Sequence, residues 1–156
     1  MSVAFRRESD EEHLEPKFER PIPPGPNLVT RRGLALIGAT IAELEGALAA
    51  AENDETRAPI QRDLRYWRTR RATAEIAPPP AADVVGIGSR VTYRLAGKDQ
   101  VAIITGTDEA DPVGGRIGFL SPLARALIGA EPGERVDFNG RAEAIEVVAT
   151  ETAAEE

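Results

Sequence analysis

The sequence predicts an α+β protein: an N-terminal antiparallel coiled-coil helical hairpin followed by a small, mostly antiparallel sheet domain with one short helix. Three observations carry this. Leu34, Ile37, Ile41, Leu44 and Leu48 recur at spacings of 3, 4, 3 and 4, which puts them on one stripe of a helix. Beyond Ala77-Pro78-Pro79-Pro80 the apolar pattern shortens to the alternation of strands. Asn139-Gly140 then sits between two β-prone runs, the strongest two-residue hairpin signal.

Residues 1–29 come before the stripe. They run from Ser9-Asp10-Glu11-Glu12 into Pro21-Ile22-Pro23-Pro24-Gly25-Pro26, a composition that favours extended, solvated backbone, and they read as a flexible charged and Pro-rich arm. Residues 30–77 read as the hairpin. Thr30 stands at an N-cap position ahead of the first helix. Thr56 is expected to cap the second, with Pro59 in its first turn and Ile60, Leu64, Trp67 and then Arg71 and Ala74 on its seam. Each arm is expected to be about 21 residues, roughly 32 Å long at 1.5 Å per residue.

The proline run ends the second helix and opens a linker over 78–87, because proline removes donors and disfavours helical backbone before it. The sheet domain is expected over 88–150. Its strands are Arg90–Leu95, Val101–Thr105, Arg116–Leu120, Glu134–Phe138 and Ala142–Val148, with a turn at Gly97-Lys98-Asp99 and a helix over Pro122–Leu127. Residues 151–156 read as an acidic tail.

Composition excludes several functions. With no cysteine and a single histidine, His13, the chain can build neither a disulfide framework nor a zinc site, and His13 has no evident partner. Ser121 lacks a nearby base, so it reads as the start of the short helix and not as a nucleophile. An aromatic share of 4% leaves no stacking platform for bases, and a net charge of −7 argues against wrapping duplex DNA. Apolar runs fall short of the roughly 18 residues that span a bilayer, so a cytoplasmic protein with no membrane partner is the expectation, and a monomer is expected.

Two clusters of charge stand out. Glu52, Asp54 and Glu55 lie at the bend between the helices, where they can either serve a metal ion or simply favour the positive end of the second helix. Arg62, Arg65 and Arg68 recur every three residues along the second helix, a basic ribbon suited to RNA phosphates or an acidic protein surface, or to pairing with Glu43 and Glu45.

The stretch SPLARALIGAEPGERVDF, residues 121–138, resembles the C-terminal signature of the GreA/GreB transcript-cleavage factors through Ser121, Pro122, Leu123, Ala124, Leu127, Ile128, Gly133 and Glu134. Gly118 stands where that signature has a serine. The likeness extends to Gly88-Ser89-Arg90-Val91, to Thr107-Asp108-Glu109-Ala110-Asp111 and, more weakly, to Leu28-Val29-Thr30-Arg31-Arg32-Gly33-Leu34. Such a resemblance implies an FKBP-like C-terminal domain that grips RNA polymerase at the rim of its secondary channel around Ser121, Pro122, Leu123 and Ala124, and a coiled coil that enters the channel. It also implies that the chain has no cofactor of its own. Tip acids share a magnesium ion with the polymerase, whose own site cleaves the RNA.

The tip sequence Glu52-Asn53-Asp54-Glu55 departs from the Gly-Asp-Leu-Lys-Glu-Asn context of the cleavage factors, and the arms resemble the short-coil branch. Stimulated cleavage through Asp54 and Glu55, and a non-cleaving channel-binding or kinase-regulating role, therefore both stay open. A prolyl isomerase is suggested by an FKBP-like fold alone, with only Tyr93, Phe119 and Phe138 to line a pocket.

Overall fold

The computed structural model describes residues 19–154. They fall into two compact units, one of residues 19–25 and 37–73 and one of residues 26–36 and 74–154. His13 and the Ser9–Glu12 run lie outside the described residues.

In the helical unit, α1 (Arg31–Ala50) begins in the sheet unit and continues through Ala50, and α2 (Asp54–Thr73) returns after three residues. Each helix has 20 residues, hence a length of about 30 Å. The α1 seam is the expected one: Ile37 and Ile41 are buried, and Leu34, Leu44 and Leu48 are half-buried. Residues 31–50 are also long and apolar enough, by length and composition, to cross a membrane, with a mean hydropathy of 1.4. That is more than the broken apolar runs suggested. Glu43 and Glu45 nevertheless stand exposed on this helix, and Glu45 is ion-paired to Arg68 of α2 at 3.0 Å.

α2 differs from expectation at both ends and on its seam. Its cap is Asn53, whose Oδ1 accepts from the Thr56 amide at 2.9 Å and from the Thr56 hydroxyl at 3.0 Å. The helix therefore starts before Thr56, and Pro59 falls in its second turn, where its missing N–H leaves the Glu55 carbonyl without its helical donor. On the seam Leu64 is buried, but Arg71 is exposed and Trp67 only half-buried, whereas Tyr66 and Arg70 are buried. The physical reason lies in residues 19–25. Arg20 places its guanidinium 4.0 Å from the Tyr66 ring centre, and Tyr66 meets Trp67 edge to face at 5.2 Å. A second face of α2 is thereby covered.

In the sheet unit, β1 (Asn27–Val29) precedes α1, and β2 (Ala74–Ile76) follows α2 without an intervening residue. The two strands pair in parallel, Asn27 with Ala74 and Val29 with Ile76. The end of the segment read as an arm is thus a strand, and the last residues read as helix are its partner. Parallel neighbours need a long crossover, and the helical hairpin is that crossover.

The main sheet has five strands: β3 (Ser89–Leu95), β4 (Lys98–Thr105), β5 (Arg116–Gly118), β6 (Arg135–Phe138) and β7 (Arg141–Thr152), in the order β5-β4-β3-β7-β6. Pairing is antiparallel except between β4 and β5, so the sheet is mostly antiparallel, as expected, with one parallel pair at its edge. The cause is the connection. A 3-10 turn at Thr107–Glu109 and a tight loop carry the chain back to lay β5 alongside β4 in the same direction. The β3–β4 turn is one step earlier than the sequence suggested: Ala96 and Gly97 both have positive φ, as do Asn139 and Gly140 at the β6–β7 turn. Glu151 and Thr152, read as tail, complete β7 against Ser89 and Arg90.

The core is aliphatic, as the composition required. Val91, Ile104, Ile145 and Val147 from the sheet pack with Val85, Phe119, Leu127 and Ala130 under the short helix α3 (Pro122–Leu127). β3 alternates strictly, with Ser89, Val91 and Tyr93 inward, whereas residues 102–105 of β4 are all buried because this end of the strand is covered on both faces.

Candidate functional site

Two features of the helical unit bear on chemistry. Glu52, Asp54 and Glu55 are exposed at the bend, with Asp54 and Glu55 in the first turn of α2, where the helix dipole favours negative charge. Among the described residues no three acidic or histidine side chains are grouped so as to hold a metal ion.

The basic ribbon of α2 is present but paired. Arg62 contacts its neighbour Asp63 at 3.2 Å, Arg65 contacts Glu19 at 2.7 Å, and Arg68 contacts Glu45 at 3.0 Å. Glu45 is the partner that the sequence supplied. Glu19 comes from the proline-rich segment, whose path no helical period reveals.

In the sheet unit, Ser121 caps α3. Its backbone is extended, its Oγ accepts from the Ala124 amide at 3.4 Å, and Pro122 occupies the first helical turn, as read from sequence. The four residues assigned to docking divide by exposure. Pro122 is exposed, Ser121 and Leu123 are half-buried, and Ala124 has no exposed surface because it packs into the core. Ala124 is thus withdrawn from any contact surface. Leu120 and Ile128, at 41% and 39% exposure, take its place as the apolar side chains flanking this corner. Gly118, at the position of the family serine, has room for a Cβ only at 3.4 Å from the Thr107 Cα, an ordinary contact, so the glycine is not sterically required there.

Sequence reasoning missed one buried polar group. Glu109 is 7% exposed, accepts from the Thr30 hydroxyl at 2.6 Å, and forms an ion pair with Arg32 at 3.0 Å. Thr30 also accepts from the Gly33 amide at 3.0 Å, so one hydroxyl both caps α1 and holds the carboxylate. A Cβ on Gly33 would lie 2.6 Å from Glu109 Oε2, which explains glycine in the first turn of a helix. The partners are 77 residues apart, beyond the reach of any local pattern. The sequence marked Thr30 as a helix cap and the Glu109 segment by its resemblance to the family, but not the contact between them.

The family described as transcription elongation factor, GreA/GreB, C-terminal, matches residues 79–152. Over 113 residues the chain is 34% identical to the transcription elongation factor GreA of Rhizobium etli, covering 69% of this chain and 68% of that protein. Over 99 residues it is 37% identical to the transcription elongation factor GreB of Neisseria meningitidis serogroup A, covering 59% of this chain and 60% of that protein's length. A solved GreA/GreB elongation factor from Nitrosomonas europaea covers 81% of this chain and 98% of its own, at 19% identity and a TM-score of 0.39. The chain belongs to the GreA/GreB family.

Proposed function

We propose that this protein is a cytoplasmic, RNA polymerase-binding transcription elongation factor. It docks through the Ser121-Pro122 corner and presents the α1–α2 bend to the polymerase's secondary channel. The observation that carries this reading is the family match over residues 79–152, which contains the whole docking corner. The exposed apolar set Leu120, Pro122 and Ile128 supports it, because apolar side chains around a rigid cap make an anchor for a protein partner. In this reading the chain is an accessory factor. Glu52, Asp54 and Glu55 would supply oxygen ligands toward a magnesium ion held by the polymerase, and any RNA cleavage would be carried out by the polymerase.

The test is fluorescence anisotropy of the labelled chain with core RNA polymerase. Binding at micromolar protein is expected, and Leu120→Asp should weaken it at least about tenfold by placing an unpaired charge in the contact. No binding at those concentrations would reject the proposal. Cleavage is read separately on backtracked complexes, where Asp54→Ala and Glu55→Ala should each slow RNA shortening while leaving polymerase affinity intact.

A second reading, channel occupancy without cleavage, is favoured by the bend itself. Asp54 and Glu55 lie in the positive first turn of a helix already capped by Asn53, which accounts for their place there without a metal ion. If neither substitution changes the cleavage rate while binding persists, this second reading stands.

A further inference from the structure

Beside the Glu109 group the sheet unit contains an open cavity of about 500 Å3. That lies within the roughly 300–1,000 Å3 of small-molecule sites. It shares no residue with the Ser121–Ala124 corner. Arg31, Arg32 and Arg116 line it with one carboxylate, Glu109; Arg31 has an interaction of its own, which leaves Arg32 and Arg116 beside Glu109 in a chain whose net charge is −7. The run Pro78-Pro79-Pro80 lines it too, together with Ile87 and Ile103.

The polar capacity of this lining is unevenly spent. Glu109 is taken by Thr30 and Arg32, and the Thr105 hydroxyl is taken by the Gly106 carbonyl at 2.9 Å. The prolines have no N–H to offer. Among the charged side chains, what remains are guanidinium donors, beside the Thr152 hydroxyl and the proline carbonyls. Arg116 has no ion pair among the described residues, and Arg32 commits one nitrogen to Glu109 out of a fork with five N–H groups. A lining whose unspent charged groups are guanidinium N–H, and whose walls are proline and isoleucine, fits an oxyanion head on an apolar, flat body.

We propose that this cavity binds a phosphorylated small molecule of mononucleotide size, its phosphate on Arg116 and Arg32 and its planar body against the proline and isoleucine walls. This is independent of the polymerase proposal, since its readout involves the chain alone.

The experiment is isothermal titration of the full chain with adenosine and guanosine monophosphates, a sugar phosphate, inorganic phosphate and adenosine, with amide shifts followed by NMR. One of the mononucleotides is expected to bind with a Kd below about 1 mM, shifting Ile87, Gly88 and Ala153. Arg116→Gln should weaken it about tenfold or more, the loss of one charge-assisted contact. Ala153→Trp, which fills the cavity, should abolish it. Arg116→Gln keeps the test decisive should the tryptophan variant fail to fold. Failure of both nucleotides to saturate at millimolar concentration, an unchanged affinity in Arg116→Gln, or shifts confined to other surfaces would overturn the proposal. Equal binding of adenosine would remove the role of the phosphate, and equal binding of inorganic or sugar phosphate would remove that of the planar body; either result overturns it.

Discussion

Glu109 carries a carboxylate at 7% exposure because two donors from the start of α1 meet it. Removing one partner of a buried polar group leaves the other to bear its desolvation. Glu109→Gln, which keeps the shape and loses the charge, is expected to lower stability by about 1–3 kcal/mol in urea unfolding. Gly33→Ala should lower it comparably, since the added methyl needs the space of Glu109 Oε2. Gly106→Ala should be at least as damaging, because its Cβ would lie 2.6 Å from the Leu28 carbonyl, and backbone yields less readily than a side chain. Tyr93 is a different kind of residue-scale case. Burial pushes its phenol above the ordinary value of 10.0. The folded state thus holds this proton more tightly than the unfolded one, so the stability it confers is full below about pH 10 and is lost as pH rises through the folded value. Thermal unfolding from pH 9 to 11.5 should show that loss, and Tyr93→Phe should flatten it, although it forfeits the 3.2 Å hydrogen bond to Gln100.

At the scale of elements, caps and pairs decide where helices begin and what their charges do. Asn53→Ala should cost about 1 kcal/mol, the usual value of an N-cap, measured by thermal unfolding. Thr56→Val, by contrast, removes only the hydroxyl contact and leaves the amide bonded to Asn53. The Ser121 cap was legible because Ser-Pro fixes both the cap and the first helical residue within two positions. The Asn53 cap was misplaced because Asn and Thr three residues apart are both good caps, and the choice depends on which side chain reaches the free amide. The ribbon of arginines was legible as a period, but its partners were not. Glu19 arrives from a segment whose proline content predicts extended backbone and says nothing of its route. Arg65 and Glu19 are half-exposed, so Arg65→Ala should change stability by less than about 1 kcal/mol.

For the whole molecule, the proposed function separates into two parts, docking and what the bend does once docked. Asp54 and Glu55 are exposed, so the double substitution to alanine should cost only their helix-dipole contribution, about 0.3–1 kcal/mol each, and leave the fold intact in thermal unfolding. Any loss of RNA shortening would then belong to chemistry at the bend and not to unfolding. Leu120→Asp should produce the opposite pattern, weak binding with a normal fold. Measuring both variants for affinity and cleavage distinguishes a factor that assists the polymerase from one that only occupies its channel.

Local rules decided much of this protein. The apolar seam of α1, the strand alternation beyond the proline run, the Asn139-Gly140 turn and the Ser121 cap each depend on residues within a few positions of one another, so the α+β class and the family signature could be read directly. The tertiary structure alone decided what depends on distant segments meeting. It paired β1 with β2 across the length of the hairpin, turned β5 parallel to β4, buried Tyr66 under Arg20 and Ala124 in the core, and brought Thr30 and Arg32 onto Glu109. Hydrogen bonds, ion pairs and burial are set by separation in space, and a linear sequence records that separation only where the chain's own period supplies it.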